Sequence, residues 1–123
     1  MKSIEKFFPS SEDALISNGL VVKETKAIAK DEYDGYLAAF GPSVIISGLI
    51  QTLAVYNANE ERQKVLNTIT CVAGIENTQS GKELLDLCIS HLDNKDRLHV
   101  WREQIINASV ALKILIRTYN LNK

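Results

Sequence analysis

The chain has 123 residues, 46% hydrophobic and 24% charged, with 14 basic and 15 acidic side chains and a net charge of −1. That length suits one domain, residues 1–123, whose core would hide roughly two-thirds of the unfolded surface. Six glycines and two prolines are too few for a turn-rich all-β protein or a disordered linker. The balanced charge excludes an overtly basic nucleic-acid-binding tail, though not a local basic face.

In chain order, MKSIEKFFPSSED lacks the apolar run and small-residue cleavage site of a secretory signal. The chain is therefore expected in the cytoplasm, with Cys71 and Cys88 as free core thiols rather than a disulfide. Pro9-Ser10-Ser11-Glu12-Asp13 offers a proline, a hydroxyl cap and first-turn acids for a short helix that Asn18-Gly19 ends. A second helix is expected from about Lys23 to Phe40, with Ala29, Tyr33, Tyr36, Leu37 and Phe40 on one face. Gly41-Pro42-Ser43 should break it, because the residue before proline is pushed out of the helical region.

A third helix, about Ser43 to Tyr56, is apolar almost all round, the pattern of an element surrounded by others. No charge falls between Gly35 and Asn59, but Gly41-Pro42, Ser43, Ser47, Gln51 and Thr52 interrupt the run and basic flanks are missing. Two buried helices, not a membrane span, are expected there. Gly48, placed mid-helix on this reading, would be kept for close helix approach, with Gly48→Leu overpacking the core by about 1–3 kcal/mol.

Asn57 to Glu61 reads as a turn and cap opening a helix with Val65, Leu66, Ile69, Val72 and Ala73 inward. Gly74 to Gly81 is the most loop-like segment, and Ser80 can cap a helix carrying Leu84, Leu85, Cys88 and Leu92 inward. Asp93-Asn94 starts the last helix, where Leu98, Trp101, Ile105, Ala108, Leu112, Leu115 and Tyr119 repeat at alternating spacings of three and four. The fold class is all-α, a bundle of about six helices with a long C-terminal one.

Chemistry is scarce. The phosphate-loop pattern fails around Gly81-Lys82, no serine sits in Gly-x-Ser-x-Gly, and no Cys-x-x-Cys or His-Glu-x-x-His occurs. Glu83, Asp86 and His91 could form a catalytic group only by converging in a pocket; Glu83 and Asp86 read as a solvated face, and His91 and His99 as surface or capping histidines. No catalytic residue, cofactor, metal or small-molecule substrate is assigned. Asn107-Ala108-Ser109 matches a glycosylation sequon but falls inside a helical pattern. The tyrosines, Phe40 and Trp101 sit on apolar faces and read as core rather than as base-stacking platforms.

Charge placement is more informative. Residues 1–61 hold 5 basic and 9 acidic groups, whereas 62–123 hold 9 basic and 6 acidic. At about 100° per residue, Lys95, Arg102, Lys113 and Arg117 fall within a strip roughly 60° wide, with Asp96 and Glu103 on its far side. Lys23, Lys26 and Lys30 form a shorter strip on the second helix. Such lines of cations could track a phosphate backbone; an ordinary solvated face with snorkelling lysines has the same spacing.

The run Tyr36 to Tyr56 adds a resemblance. An aromatic-rich helix, the Gly41-Pro42 break, Ser47-Gly48-Leu49 and then Leu53-Ala54 before Tyr56 resemble the central signature of the small helical subunit of Cmr-type (type III-B) CRISPR RNA-guided complexes. Trp101-Arg102, Ala111-Leu112 and Arg117 on the last helix match as well; where the family pattern has Trp-Leu-Lys-Arg, this chain has Ile114-Leu115-Ile116-Arg117. Gly41, Pro42, Gly48, Leu49, Leu53 and Trp101 form the structural core signature. The resemblance implies a non-catalytic antiviral subunit that stacks with copies of itself into an inner filament, beside the subunit that binds the crRNA backbone. It also implies a share in holding the guide–target RNA duplex, which turns the cation strips into RNA-backbone contacts. The alternative is a stand-alone helical adaptor with no nucleic-acid partner.

Overall fold

The computed structural model describes residues 2–120. A single turn, α1 (Lys2–Glu5), leads into α2 (Phe8–Ser17), which begins with Pro9 in its first turn and ends at Asn18. The helix starts earlier than the Ser10-Ser11 cap anticipates. The Ser11 hydroxyl lies inside it and donates back to the Phe7 carbonyl at 2.7 Å, so it caps nothing.

The expected helix from Lys23 does not form. Val21–Val22 (β1) and Ala27–Ile28 (β2) pair antiparallel, Val21 opposite Ile28 and Val22 opposite Ala27, and Lys23 to Lys26 make the turn. Lys26 takes a left-handed φ of 52°, and the Ala29 amide donates to the Leu20 carbonyl at 2.9 Å. Burial of Val21 and Ile28 decides the matter, since β-branched side chains fit a half-buried strand. Helix α3 (Glu32–Ser47) follows, burying Tyr33, Leu37, Phe40 and Val44.

Gly41-Pro42 does not break α3. The pre-proline clash involves the preceding Cβ, and Gly41 has none, so the helix runs on to Ser47. The break comes at Gly48, with φ 100° and ψ 157°, a conformation open essentially to glycine alone. Helix α4 (Leu49–Asn57) starts there. Gly48 thus serves a backbone corner rather than close helix packing. A Cβ built on it would lie 2.6 Å from Gln51 Oε1 in the next turn. Nor is the Ser43–Tyr56 stretch wrapped on all sides: Ile45, Ile46 and Val55 are 65%, 83% and 56% exposed.

The remaining helices start where their caps predict. Asn59 accepts from the Arg62 amide at 2.9 Å to open α5 (Glu60–Ala73), and Ser80 accepts from the Glu83 amide at 3.2 Å to open α6 (Gly81–Ser90). Close approach occurs at Gly81, where a Cβ would fall 2.5 Å from Leu66 Cδ2. The Asn67 side chain accepts from the Gly81 amide at 2.6 Å, and Asn57 donates to its carbonyl at 3.0 Å, locking α6 onto α5 and α4. Leu92, expected inward, lies beyond α6 and is 56% exposed.

Helix α7 (Lys95–Asn120) is the 26-residue axis of the bundle, touching α1, α2, α3, α5 and β2. Trp101, Ile105, Ala108, Leu112 and Tyr119 are buried as their spacing requires, and Ala111 and Ile116 join them. Phe40 meets Tyr56 edge-on at 5.2 Å, and the Tyr56 hydroxyl donates to the Tyr36 carbonyl at 2.7 Å, tying α4 to α3. Both thiols are free. Cys88 is fully buried and its thiol is pushed up to about 11 by that burial; Cys71 is half-buried and donates to the Gln79 carbonyl at 3.2 Å. Among the described residues no helix is long and apolar enough to cross a membrane.

Candidate nucleic-acid interface

The seven cations singled out from the sequence fall into three groups. Lys23 and Lys26 stand on the hairpin turn and Lys30 just before α3, so they make no helical strip. Lys26 pairs with Glu12 at 3.1 Å and Lys30 with Glu61 at 2.5 Å. Glu61 also accepts from the Tyr33 hydroxyl at 2.5 Å, and these two hydrogen bonds hold its carboxyl down at about 2. Burial and Glu61 together raise the Tyr33 hydroxyl. This cluster fastens the start of α5 to the start of α3.

On α7 the strip exists, but a helix crosses its middle. At about 100° per residue, Ile106 falls within its angular range and Ser109 about 20° outside it, toward the apolar face. A Cβ on Gly41 would sit 3.8 Å from Ile106 Cγ2 and 3.9 Å from Ser109 Oγ, so α3 lies across α7 at that point. Lys95 and Arg102 are left on one side of the crossing, Lys113 and Arg117 on the other. Arg117 reaches Asp34 of α3 at 3.3 Å. Arg102 pairs with its neighbour Glu103 at 2.6 Å, contrary to the expected separation, because a long guanidinium arm swings across the angle between adjacent residues. Lys23, Lys95 and Lys113 form no ion pair with any described residue.

The first side of the crossing opens into a cleft of about 300 Å³ between the start of α4 and the start of α7. Leu49, Ile50 and Leu98 are its buried or half-buried wall, and Lys95, His99 and Arg102 its more exposed rim. Gln51 also lines it. Because Gly48 ends α3 and no side chain caps α4, the positive end of the α4 dipole adjoins the same space. Sequence reading picked out Lys95 and Arg102 but missed His99, Gln51 and the apolar wall. The spacing Lys95, Leu98, His99, Arg102 was a usable signal, being one helix face. The opposing wall depends on the corner at Gly48, which proline chemistry alone puts at Gly41-Pro42.

The candidate acids do different work. Glu83 accepts from the Gln79 amide at 2.8 Å, and Asp86 pairs with Lys82 at 3.7 Å; both face solvent. His91 Nδ1 lies 3.0 Å from the Leu87 carbonyl, and its ring meets Trp101 edge-on at 5.1 Å.

Against the known families, residues 18–113 match CRISPR-associated protein (Cas_Cmr5). The chain belongs to the Cas_Cmr5 family. No curated protein and no solved structure matches it. The Cas_Cmr5 match takes in the hairpin, the Gly48 corner, the cleft and α7 as far as Lys113, and leaves Arg117 outside. Membership, anticipated from the Tyr36–Tyr56 signature, makes the chain a subunit of a CRISPR-associated Cmr complex, and its helical bundle is the one anticipated from the periodicity along the chain.

Proposed function

We propose that this chain is a non-catalytic structural subunit of a cytoplasmic type III-B Cmr ribonucleoprotein, one that stacks with further copies of itself beside the crRNA-binding backbone subunit. It helps hold the guide–target RNA duplex through Lys95, Arg102, Lys113 and Arg117, with Lys23, Lys26 and Lys30 as a separate basic edge. The observation that carries this reading is the placing of four cations on α7, two on each side of the α3 crossing, in a Cas_Cmr5 chain. Cations so placed can meet phosphates without reading bases, releasing counterions at each contact. The exposed Ile45, Ile46 and Val55 suit contact with neighbouring protein subunits.

The test is a reconstituted complex in which Arg102, Lys113 and Arg117 are changed to Glu. Target-RNA affinity is expected to fall, and the dependence of log affinity on log salt to flatten by up to about 0.9 per lost phosphate contact. Unchanged affinity with an unchanged slope would sink the assignment. The exposed apolar residues favour a second reading, an adaptor that meets only proteins. Native purification separates the two, since short guide RNAs accompany the chain only on the first.

A further inference from the structure

The geometry points to the cleft between α4 and α7 as a seat for one unpaired ribonucleotide, its phosphate on the cationic rim and its base against the apolar wall. This rests on the proposed RNA-holding role and sharpens it, since a contact to duplex backbone needs cations but no apolar wall.

Three features combine. The wall of Leu49, Ile50 and Leu98 comes from two helices and stays open to solvent beside the bundle. An apolar recess of this kind accepts the face of an unstacked base, which a paired and stacked base cannot offer. Lys95 and Arg102 stand on one rim, on the same helical face with His99 between them, supplying positive charge beside the wall. Arg102 holds Glu103 at 2.6 Å, a partially exposed pair that a phosphate can displace at little cost, and Lys95 is already unpaired among the described residues. The α4 dipole adds favourable charge in the same place, and Gln51 offers an amide that both donates and accepts. The volume of about 300 Å³ is at the small end of ligand clefts and fits one nucleotide, not a stretch of chain. An acidic peptide with an apolar anchor shares part of this chemistry, but RNA is the polyanion that the proposed role brings to this surface.

The experiment uses the full chain, isotope-labelled for NMR, titrated with a short oligouridylate, a duplex RNA of equal phosphate count, inorganic phosphate, and an acidic leucine-containing peptide. The oligouridylate is expected to move the amides of Ile50, Gln51, Leu98 and His99, and the duplex to bind about fivefold more weakly at the same amides. Ile50→Ser should weaken oligouridylate binding about fivefold and leave duplex binding unaltered, whereas Lys95→Glu should weaken both. Circular dichroism checks that each variant folds, and Leu98→Ala carries the same comparison if Ile50→Ser unfolds. An unchanged single-strand affinity in the folded wall variant, with Lys95→Glu still lowering both, overturns the nucleotide seat and leaves the backbone-holding role standing. Equal shifts from inorganic phosphate, tighter binding of the peptide, or shifts confined to other amides also overturn it. If in addition the Glu substitutions leave target-RNA affinity in the complex unaltered, the underlying role falls too.

Discussion

Adding one methyl group at Gly81 and one at Gly48 tests two different physical demands. At Gly81 the new Cβ would meet Leu66 Cδ2 at 2.5 Å inside the α5–α6 contact, so Gly81→Ala should destabilise by about 1–3 kcal/mol through overpacking. At Gly48 the cost is conformational, since φ 100° and ψ 157° suit no L-residue, and Gly48→Ala should also cost about 1–3 kcal/mol. Urea denaturation measures both. Leu66→Ala, which removes both Cδ2 and the Cγ that the new Cβ would meet at 2.7 Å, should relieve the Gly81 variant, whereas Gln51→Ala should relieve only the steric part of the Gly48 cost and leave its backbone strain. Glu61 gives a pH prediction. Its folded carboxyl titrates at about 2, below its ordinary 4.5, so the unfolded chain binds the proton first. Its contribution is therefore whole above about pH 4.5 and lost as pH falls toward 2. Glu61→Gln should flatten that part of the acid-unfolding curve, seen by circular dichroism against pH; an unchanged curve would mean that the Lys30–Glu61–Tyr33 cluster does not stabilise the fold.

Among the elements, α3 is the informative one. Its passage through Pro42 depends on the missing Cβ of Gly41, which makes the two residues a coupled pair. Gly41→Ala should therefore cost stability in the parent chain but stabilise a Pro42→Ala background. The two changes should show a coupling of about 0.5–3 kcal/mol in a double-mutant cycle, and additivity would refute the explanation. The same residues show what sequence made legible. Helices opened by side-chain caps, Asn59 for α5 and Ser80 for α6, were readable because the cap is local chemistry. The repeat of α7 was readable because burial imposes its period. Gly41-Pro42 reads as a break on proline chemistry alone, but the missing Cβ of Gly41 lifts the clash. Lys23, Lys26 and Lys30 have helical spacing, but charged side chains carry no burial to enforce it, whereas buried Val21 and Ile28 set the local structure.

For the whole molecule, the acids of the first half take up part of the basic charge, and Arg117–Asp34 does so across the two halves. Three of the seven singled-out cations reach acids of the first half: Lys26 to Glu12, Lys30 to Glu61 and Arg117 to Asp34. Lys95 and Lys113 meet no such acid among the described residues, so they are the freer pair for a polyanion. In the reconstituted complex, Lys95→Ala and Lys113→Ala should each lower target-RNA affinity more than Arg117→Ala, whose guanidinium must first release Asp34. Filter binding at several salt concentrations measures the order, and a dominant Arg117 would reverse it. The cations of this site were legible as a helical angle; its cleft was not, because half of it belongs to a helix whose start was misplaced.

Cys88 offers a different use of the same core. A fully buried thiol raised to about 11 reacts with an alkylating reagent only when the bundle opens, whereas half-buried Cys71 needs at most a local fluctuation. The chain thus carries its own clock, with one thiol timing loop excursions and the other timing global opening. Packing faults such as Gly81→Ala should hasten Cys88 labelling about tenfold for each 1.4 kcal/mol lost.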